Sequence, residues 1–282
     1  MTTHNQHESE EPAGDGGLLR VRVRLGYDGT DFHGWARQPG LRTVQGEVEE
    51  ALATALRLTV RPRTVCAGRT DAGVHARDQH LHVDVPTAQW PGEGAQVARR
   101  LNGLLPADVR IFECSAAPPG FDARFSVRSR AYRYRVCDGA EVDPLQRRFV
   151  VGHPRRLDLA AMNSAAADLL GEHDFAAFCR FRAGSTTVRT LLRMEWRRDH
   201  DGLADLVVRA DAFCHSMVRS LVGVLLPVGD GRRDTAWPQQ MLAEGMRSPE
   251  IVVAPARGLV LDRVEYAEDV AAQAVVARRV RA

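Results

Sequence analysis

Arg20, Arg22 and Arg24 alternate with Val21, Val23 and Leu25, a period of two that fits a strand with one buried and one basic face and does not fit a helix. A segment of this kind must join a sheet. Alternation returns where Leu81, Val83 and Val85 stand between His80, His82 and Asp84, over Ala131 to Val136, and where Leu192, Met194 and Trp196 alternate with Arg193, Glu195 and Arg197. Val60 to Ala67, Leu206 to Arg209 and Leu259 to Tyr266 read as further strands, and Pro86 closes the one before it. Between the strands the period lengthens. Thr43 is placed to cap a helix running to about Leu58, with Val44, Val48, Leu52, Ala55 and Leu56 at helical spacing. Further helices are expected over Ala95 to Leu104 ahead of Pro106, from an Asp158 cap to about Leu170, and from Ala212 to about Leu226. On the last of these, Phe213, Met217, Leu221 and Val224 share one side, while His215 and Arg219 lie four residues apart on another.

This order of elements predicts an α+β fold with two similar halves and largely antiparallel sheets. Ala116-Ala117-Pro118-Pro119-Gly120 reads as the linker between them. The expected divisions are an acidic tail over 1–18, a first half over 19–115, a second over 121–266 and a C-terminal tail over 267–282. With 282 residues, 44% of them hydrophobic, the chain can bury one large or two medium cores. No run approaches a membrane span and the first residues are polar, so a cytoplasmic protein is expected.

The chain has no lysine; all 38 basic residues are arginine. Schiff-base chemistry and the phosphate-cradling P-loop both need a lysine and are excluded, and no Gly-x-Gly-x-x-Gly run suggests a dinucleotide site. Five cysteines, Cys66, Cys114, Cys137, Cys179 and Cys214, are scattered without a close pair, which predicts buried reduced thiols and no zinc site. The net charge of +2 hides an asymmetry: residues 1–18 carry four acids and no arginine, so the rest of the chain is mildly basic. Within it, residues 121–135 hold Arg124, Arg128, Arg130, Arg133 and Arg135 against the single acid Asp122, interleaved with Phe121, Phe125, Tyr132 and Tyr134. Such a stretch can grip phosphates and stack on unpaired bases, which makes Arg124, Arg128 and Arg130 candidate substrate contacts; it equally fits a strand with solvated arginines.

The stretch that most resembles an active site is Gly68-Arg69-Thr70-Asp71-Ala72-Gly73-Val74-His75-Ala76. Asp71 falls where a strand gives way to a turn flanked by glycines, a setting that can hold a carboxylate in a cleft. Arg69, two residues away, is placed to lower its pKa and keep it ionised as a nucleophile or base, although a solvated Asx turn has the same pattern. His75, His80 and His82 show no familiar metal-ligand spacing, since His80 and His82 are expected on the open face of their strand; no metal is expected.

The same nine residues are similar to the signature of the TruA family of tRNA pseudouridine synthases. Further stretches resemble that family in order: Tyr27-Asp28-Gly29-Thr30, Phe32-His33-Gly34-Trp35, Arg42-Thr43-Val44-Gln45-Gly46-Glu47, Phe121-Asp122-Ala123-Arg124-Phe125-Ser126, Tyr132-Arg133-Tyr134, Gly171-Glu172-His173-Asp174-Phe175, Phe213-Cys214-His215-Ser216-Met217-Val218-Arg219 and Ala254-Pro255-Ala256-Arg257-Gly258-Leu259. The resemblance implies a pseudouridine synthase fold of two α/β subdomains around a central cleft, usually a homodimer. It implies isomerisation of a flipped-out uridine in the anticodon stem-loop of tRNA, without cofactor or metal. By the same resemblance Asp71 is the catalytic residue, Arg219 pairs with it, Arg69 helps to keep it charged, and Tyr132 stacks on the base. Whether the carboxylate attacks C1′, adds to the base or removes a ribose proton stays open. Ser216 stands where the family often has a second histidine, and Ala36 where it often has glutamine. An RNA-binding protein that has lost catalysis and a metal-assisted hydrolase using Asp71 and His75 are the other classes to weigh.

Overall fold

The alternating segment near the start becomes strand β1 (Leu18–Tyr27), in which Val21, Val23 and Leu25 are fully buried and the arginines between them half-buried. Two of those arginines lie over aromatic rings, Arg22 over Phe121 and Tyr266 and Arg24 over Phe112, so the basic face is partly roofed. The computed structural model describes residues 17–139, 141–180 and 186–281. The chain continues through α1 (Val44–Ala55), β2 (Val65–Cys66), β3 (His75–Pro86), α2 (Gly94–Leu104), β4 (Val109–Ala116), β5 (Val127–Asp138), β6 (Val151–His153), α3 (Leu159–Ala167), β7 (Gly171–Asp174), β8 (Val188–Arg198), β9 (Ala204–Ala210), α4 (Met217–Gly229), α5 (Trp237–Glu244), β10 (Leu259–Tyr266) and α6 (Val270–Arg281). The expected acidic tail lies outside the described residues apart from its last two.

The strands form one sheet in the order β4-β1-β3-β10-β5-β9-β8-β7, with β2 paired to β3 and β6 to β5. All neighbours are antiparallel except β10 with β3 and β5 with β6. The expected α+β class with largely antiparallel pairing is therefore what the chain forms. The last strand inserts in the middle: Leu261 of β10 faces Ala76 of β3 on one side and Tyr132 of β5 on the other. On one half α1 and α2 pack together; on the other, α3, α4 and α5 do.

Local signals explain several boundaries. The Thr43 hydroxyl accepts from the Gly46 N–H, and the Asp158 carboxylate accepts from the N–H groups of Ala160 and Ala161, so both expected caps are formed. Other expectations are corrected. Val60 is exposed and only Val65–Cys66 of the expected 60–67 strand pairs, because Arg61, Pro62 and Arg63 lead in without ladder bonds. His80 and His82 are buried rather than on an open face: β3 is central, and Tyr266 and Phe121 pack edge-on against the two imidazoles. The fourth helix starts at Met217 and not at Ala212, since Ser216 takes the left-handed conformation at φ 62°. β4, β6, β7 and α5 went unassigned in the sequence, and residues 270–281, expected as a tail, form α6.

Cys179 and Cys214 form a disulfide with a Cα–Cα distance of 5.7 Å, against the expectation of five reduced thiols. Their separation of 35 residues gives no hint of it, because the turn after β7 meets the segment before α4 only in three dimensions; there the Arg180 N–H donates to the His215 carbonyl. Cys66, Cys114 and Cys137 are buried. Among the described residues no helix is long and apolar enough to cross a membrane.

Gly29 is where the Tyr27-Asp28-Gly29-Thr30 stretch touches the loop that leads into β3. A Cβ there would lie 2.0 Å from the Val74 carbonyl oxygen. Gly29→Ala is expected to destabilise the protein by about 1–3 kcal/mol, as overpacking against fixed backbone does, read as a lower urea midpoint at unchanged m-value.

Candidate active site

The loop between β2 and β3 carries Asp71 and is held from several sides. At its start the Ala67 N–H donates to the His80 carbonyl (2.7 Å), and the Gln79 amide donates to the Gly68 carbonyl (2.7 Å). Thr70 is fixed by both its ends: its hydroxyl meets the Tyr27 hydroxyl at 2.8 Å, and its carbonyl accepts from the Trp35 N–H at 3.0 Å. Gly73, at φ 75°, donates its N–H to the Phe32 carbonyl. Gly34 lets the two loops approach, since a Cβ there would sit 2.9 Å from the Thr70 carbonyl oxygen. The Phe32-His33-Gly34-Trp35 stretch is thus the seat of the Asp71 loop.

His75 closes the far end. The Gly29 N–H donates to its Nδ1 (2.9 Å), so the ring proton belongs on Nε2, which donates to the Arg257 carbonyl (3.1 Å). Asp28 Oδ1, 3.1 Å from Nδ1, pulls toward a second proton, but burial dominates and holds the imidazole pKa below its ordinary value. His75 is a structural clamp. His80 contacts Asp78, and His82 accepts from the Ala123 N–H, so the three histidines serve three different places.

Three side chains from the far half of the chain converge on the Asp71 carboxylate. The Ser216 hydroxyl donates to Oδ2 at 3.0 Å, Arg219 Nη1 to the same oxygen at 3.3 Å, and His215 Nε2 lies 3.3 Å from Oδ1. Arg219 does not reach out alone: its Nε donates to the Ala254 carbonyl (2.7 Å), and its own carbonyl accepts from the Ala254 N–H. The left-handed Ser216 turns the chain into α4, so that His215 before the helix and Arg219 in its first turn both face Asp71. The Asp71 side chain is 23% exposed. It is therefore open enough for a substrate and enclosed enough for these contacts to count.

Asp71 and Arg219 thus meet as the resemblance implied. Arg69 is exposed and makes no ion pair with Asp71 among the described residues. His215 and Ser216 were not foreseen as carboxylate partners, because a helix drawn from Ala212 sets His215 on a regular turn and gives Ser216 no role. Tyr132 is buried at 6% exposure and packs edge-on against Phe213, with ring centroids 5.2 Å apart. Burial raises its hydroxyl pKa, so the phenol stays neutral.

The arginine stretch divides. Arg124 and Arg128 are exposed, with Arg124 over the Phe125 ring, and Arg133 and Arg135 lie within ion-pair reach of Asp205. Arg130, expected to touch substrate, is instead buried at 5% exposure with its donors on backbone carbonyls. Phe121 and Tyr134 are wholly buried and offer no stacking face to solvent.

Between pH 6.5 and the lowered pKa of folded His75, the unfolded chain binds a proton at this residue that the folded chain does not. The stability His75 contributes is therefore present above pH 6.5 and lost as pH falls through its folded pKa. The denaturation midpoint should drop across that range, and His75→Asn, though less stable overall, should show a flatter dependence there. Equal slopes in the two proteins would show that this imidazole does not set it.

The model of a family described as tRNA pseudouridine synthase matches residues 165–267. The chain is 54% identical to the tRNA pseudouridine synthase A of Streptomyces griseus over 269 residues, 94% of this chain and 95% of that protein. It is 56% identical to that of Frankia casuarinae over 94% of this chain and 96% of that protein, and 48% identical to that of Mycobacterium leprae over 93% and 96%. Identity at this level over nearly the whole length shows that the chain belongs to the tRNA pseudouridine synthase A family.

Proposed function

We propose that this protein isomerises uridine to pseudouridine in the anticodon stem-loop of tRNA, with Asp71 as the nucleophile. The observation that carries the reading is the convergence of Ser216, His215 and Arg219 on the Asp71 carboxylate. Family membership and the names of the relatives support tRNA as the substrate and pseudouridine formation as the reaction. The reaction breaks the bond from ribose C1′ to N1, turns the uracil and forms a bond from C1′ to C5. N1 gains a proton and the C5 hydrogen leaves as a proton, so atoms balance without redox change or net hydrolysis. A carboxylate held in a shaped site is suited to this chemistry.

A base stacked in a stem cannot reach Asp71, so the uridine is flipped out at a cost of a few kcal/mol. In this reading Tyr132 stacks on the flipped base and Arg219 holds the carboxylate in place. The exposed Arg124 and Arg128 contact phosphate, and the enzyme acts as a homodimer in the cytoplasm. The two expected halves meet across β10, with the reacting carboxylate from one and its donors from the other.

Asp71→Asn keeps the shape of the side chain and removes its nucleophilicity, so folding and tRNA binding should persist while turnover is abolished. The decisive assay follows tritium from tRNA carrying uridine labelled at C5. Wild-type protein should release the label to water while the RNA stays intact, whereas a hydrolase would free uracil or cut the chain and a binding protein would do neither. Absence of release from tRNA that a known synthase does modify would end the enzyme reading.

Tyr132→Phe keeps the stacking plane and should bind tRNA far better than Tyr132→Ala, which loses roughly 1–3 kcal/mol of base stacking. Equal affinities of the two variants, measured by titration at one salt concentration, would remove Tyr132 from the base platform.

A further inference from the structure

Arg130 sits on β5 two residues before Tyr132 and is enclosed by the protein at 5% exposure. A buried arginine ordinarily faces a carboxylate. Here, among the described residues, the hydrogen bonds of the guanidinium go to backbone carbonyls. Nε and Nη2 both donate to the Ala67 carbonyl, the former at 2.9 Å; Nη1 donates to the Asp211 carbonyl at 2.8 Å, and Nη2 also to the Arg124 carbonyl at 3.0 Å. Burial lowers its pKa from the ordinary value, so the site carries a desolvation cost, which the carbonyl bonds offset.

The places of those carbonyls give the arrangement its meaning. Ala67 is the last residue before the Gly68-Arg69-Thr70-Asp71 turn, directly after β2. Asp211 follows the end of β9 and opens the segment that leads to His215 and Ser216. Arg124 belongs to the loop over 121–126, which ends at β5. One side chain therefore ties the strand end that feeds Asp71 to the strand end that feeds two of the side chains on Asp71. Both segments leave the sheet ladder there, and a planar fork of donors can satisfy carbonyls from several of them at once, which a lysine could not do with the same geometry. Gly68 gives the fork its room: a Cβ at that position would lie 3.3 Å from Arg130 Nε.

We propose that Arg130 is a positioning residue for the isomerisation. From the interior it fixes the Asp71 loop against the 211–216 segment, so that the Ser216 hydroxyl and the His215 imidazole meet the carboxylate in a reactive arrangement, and it does not touch RNA. The proposal rests on the reading of Asp71 as the reacting carboxylate. Contacts of 3.0–3.3 Å on that carboxylate tolerate little slippage between the two segments, and a misplacement of about 1 Å can lower a rate on the order of 10²-fold.

The test compares full-length wild-type protein with Arg130→Lys and Gly68→Ala by tritium release from C5-labelled tRNA, alongside thermal midpoints and the salt dependence of tRNA binding. Arg130→Lys keeps the charge and loses the fork; its kcat should fall on the order of 10²-fold with KM unchanged and with the slope of binding against salt unchanged. Wild-type kcat in a folded Arg130→Lys protein, with only the midpoint lowered, would reduce Arg130 to a stability role and overturn the proposal. A raised KM with a shallower salt slope would place the guanidinium on phosphate and overturn it as well. Should Arg130→Lys fail to fold, Gly68→Ala decides, because it crowds the guanidinium while keeping every donor: kcat should fall several-fold at constant KM, and wild-type kcat overturns the proposal. Asp71→Asn measured in parallel separates the two readings. If it turns over, the assignment of Asp71 falls and the role of Arg130 with it; if it is inactive while Arg130→Lys keeps wild-type kcat, the role of Arg130 alone falls.

Discussion

Two residue pairs hold the architecture of the site together: Val260 with His75 and Leu261 with Ala76, where β10 runs parallel to β3. On its other edge β10 pairs antiparallel with β5 along most of its length. The C-terminal strand is thereby wedged between a strand of the first half and a strand of the second. His75 and Ala76 follow the Asp71 loop directly, so its exit is pinned at the seam. Tyr132 lies across Leu261 from Ala76, which puts the candidate base platform two strands from the candidate nucleophile. The seam has a second tie, the His75 imidazole reaching the Arg257 carbonyl just before β10. A contact between segments so far apart in sequence is late and entropically costly to form, so its maintenance depends on the packing of both halves.

Much of the fold was legible because strands with one covered face betray themselves by alternation. β10 has the expected bounds, β1 extends the expected Arg20 to Leu25 by two residues at each end, and Thr43 and Asp158 act as caps where the sequence places them. The failures have physical causes. His80 and His82 look like an open polar face, yet β3 lies between β1 and β10 and its second face is covered by Tyr266 and Phe121, so their ring nitrogens are used inside the protein. β4 was missed because its buried positions, Val109, Ile111 and Cys114, change phase, and its pairing with β1 shifts register between Arg24 and Leu25. Partnership between strands is not written in either strand alone.

The site was legible in a different way. Asp71 is marked by its glycine-flanked turn and by resemblance to a family, Arg219 and Tyr132 by that resemblance and by no periodicity, and the structure brings Asp71 and Arg219 within 3.3 Å. His215 and Ser216 escaped notice because their approach depends on a left-handed residue that is neither glycine nor asparagine. Nothing in Cys-His-Ser-Met announces that the helix waits until Met217. The Ser216 hydroxyl nevertheless donates to the candidate nucleophile itself.

In a chain without lysine, charge and function separate by geometry alone. Arg219 gives one nitrogen to a carboxylate and another to a carbonyl, which fixes both the charge and its direction. Arg124 and Arg128 remain at the surface, where a guanidinium is free to meet phosphate. Arg133 is paired with Asp205 within the sheet, and its field is largely cancelled there. Composition groups Arg124, Arg128, Arg130 and Arg133 in one basic stripe, whereas their surroundings leave the first two exposed, bury the third on backbone carbonyls and pair the fourth with Asp205. Counting arginines therefore overstates the surface available to RNA in this segment, because exposure rather than charge decides which of them can displace counterions.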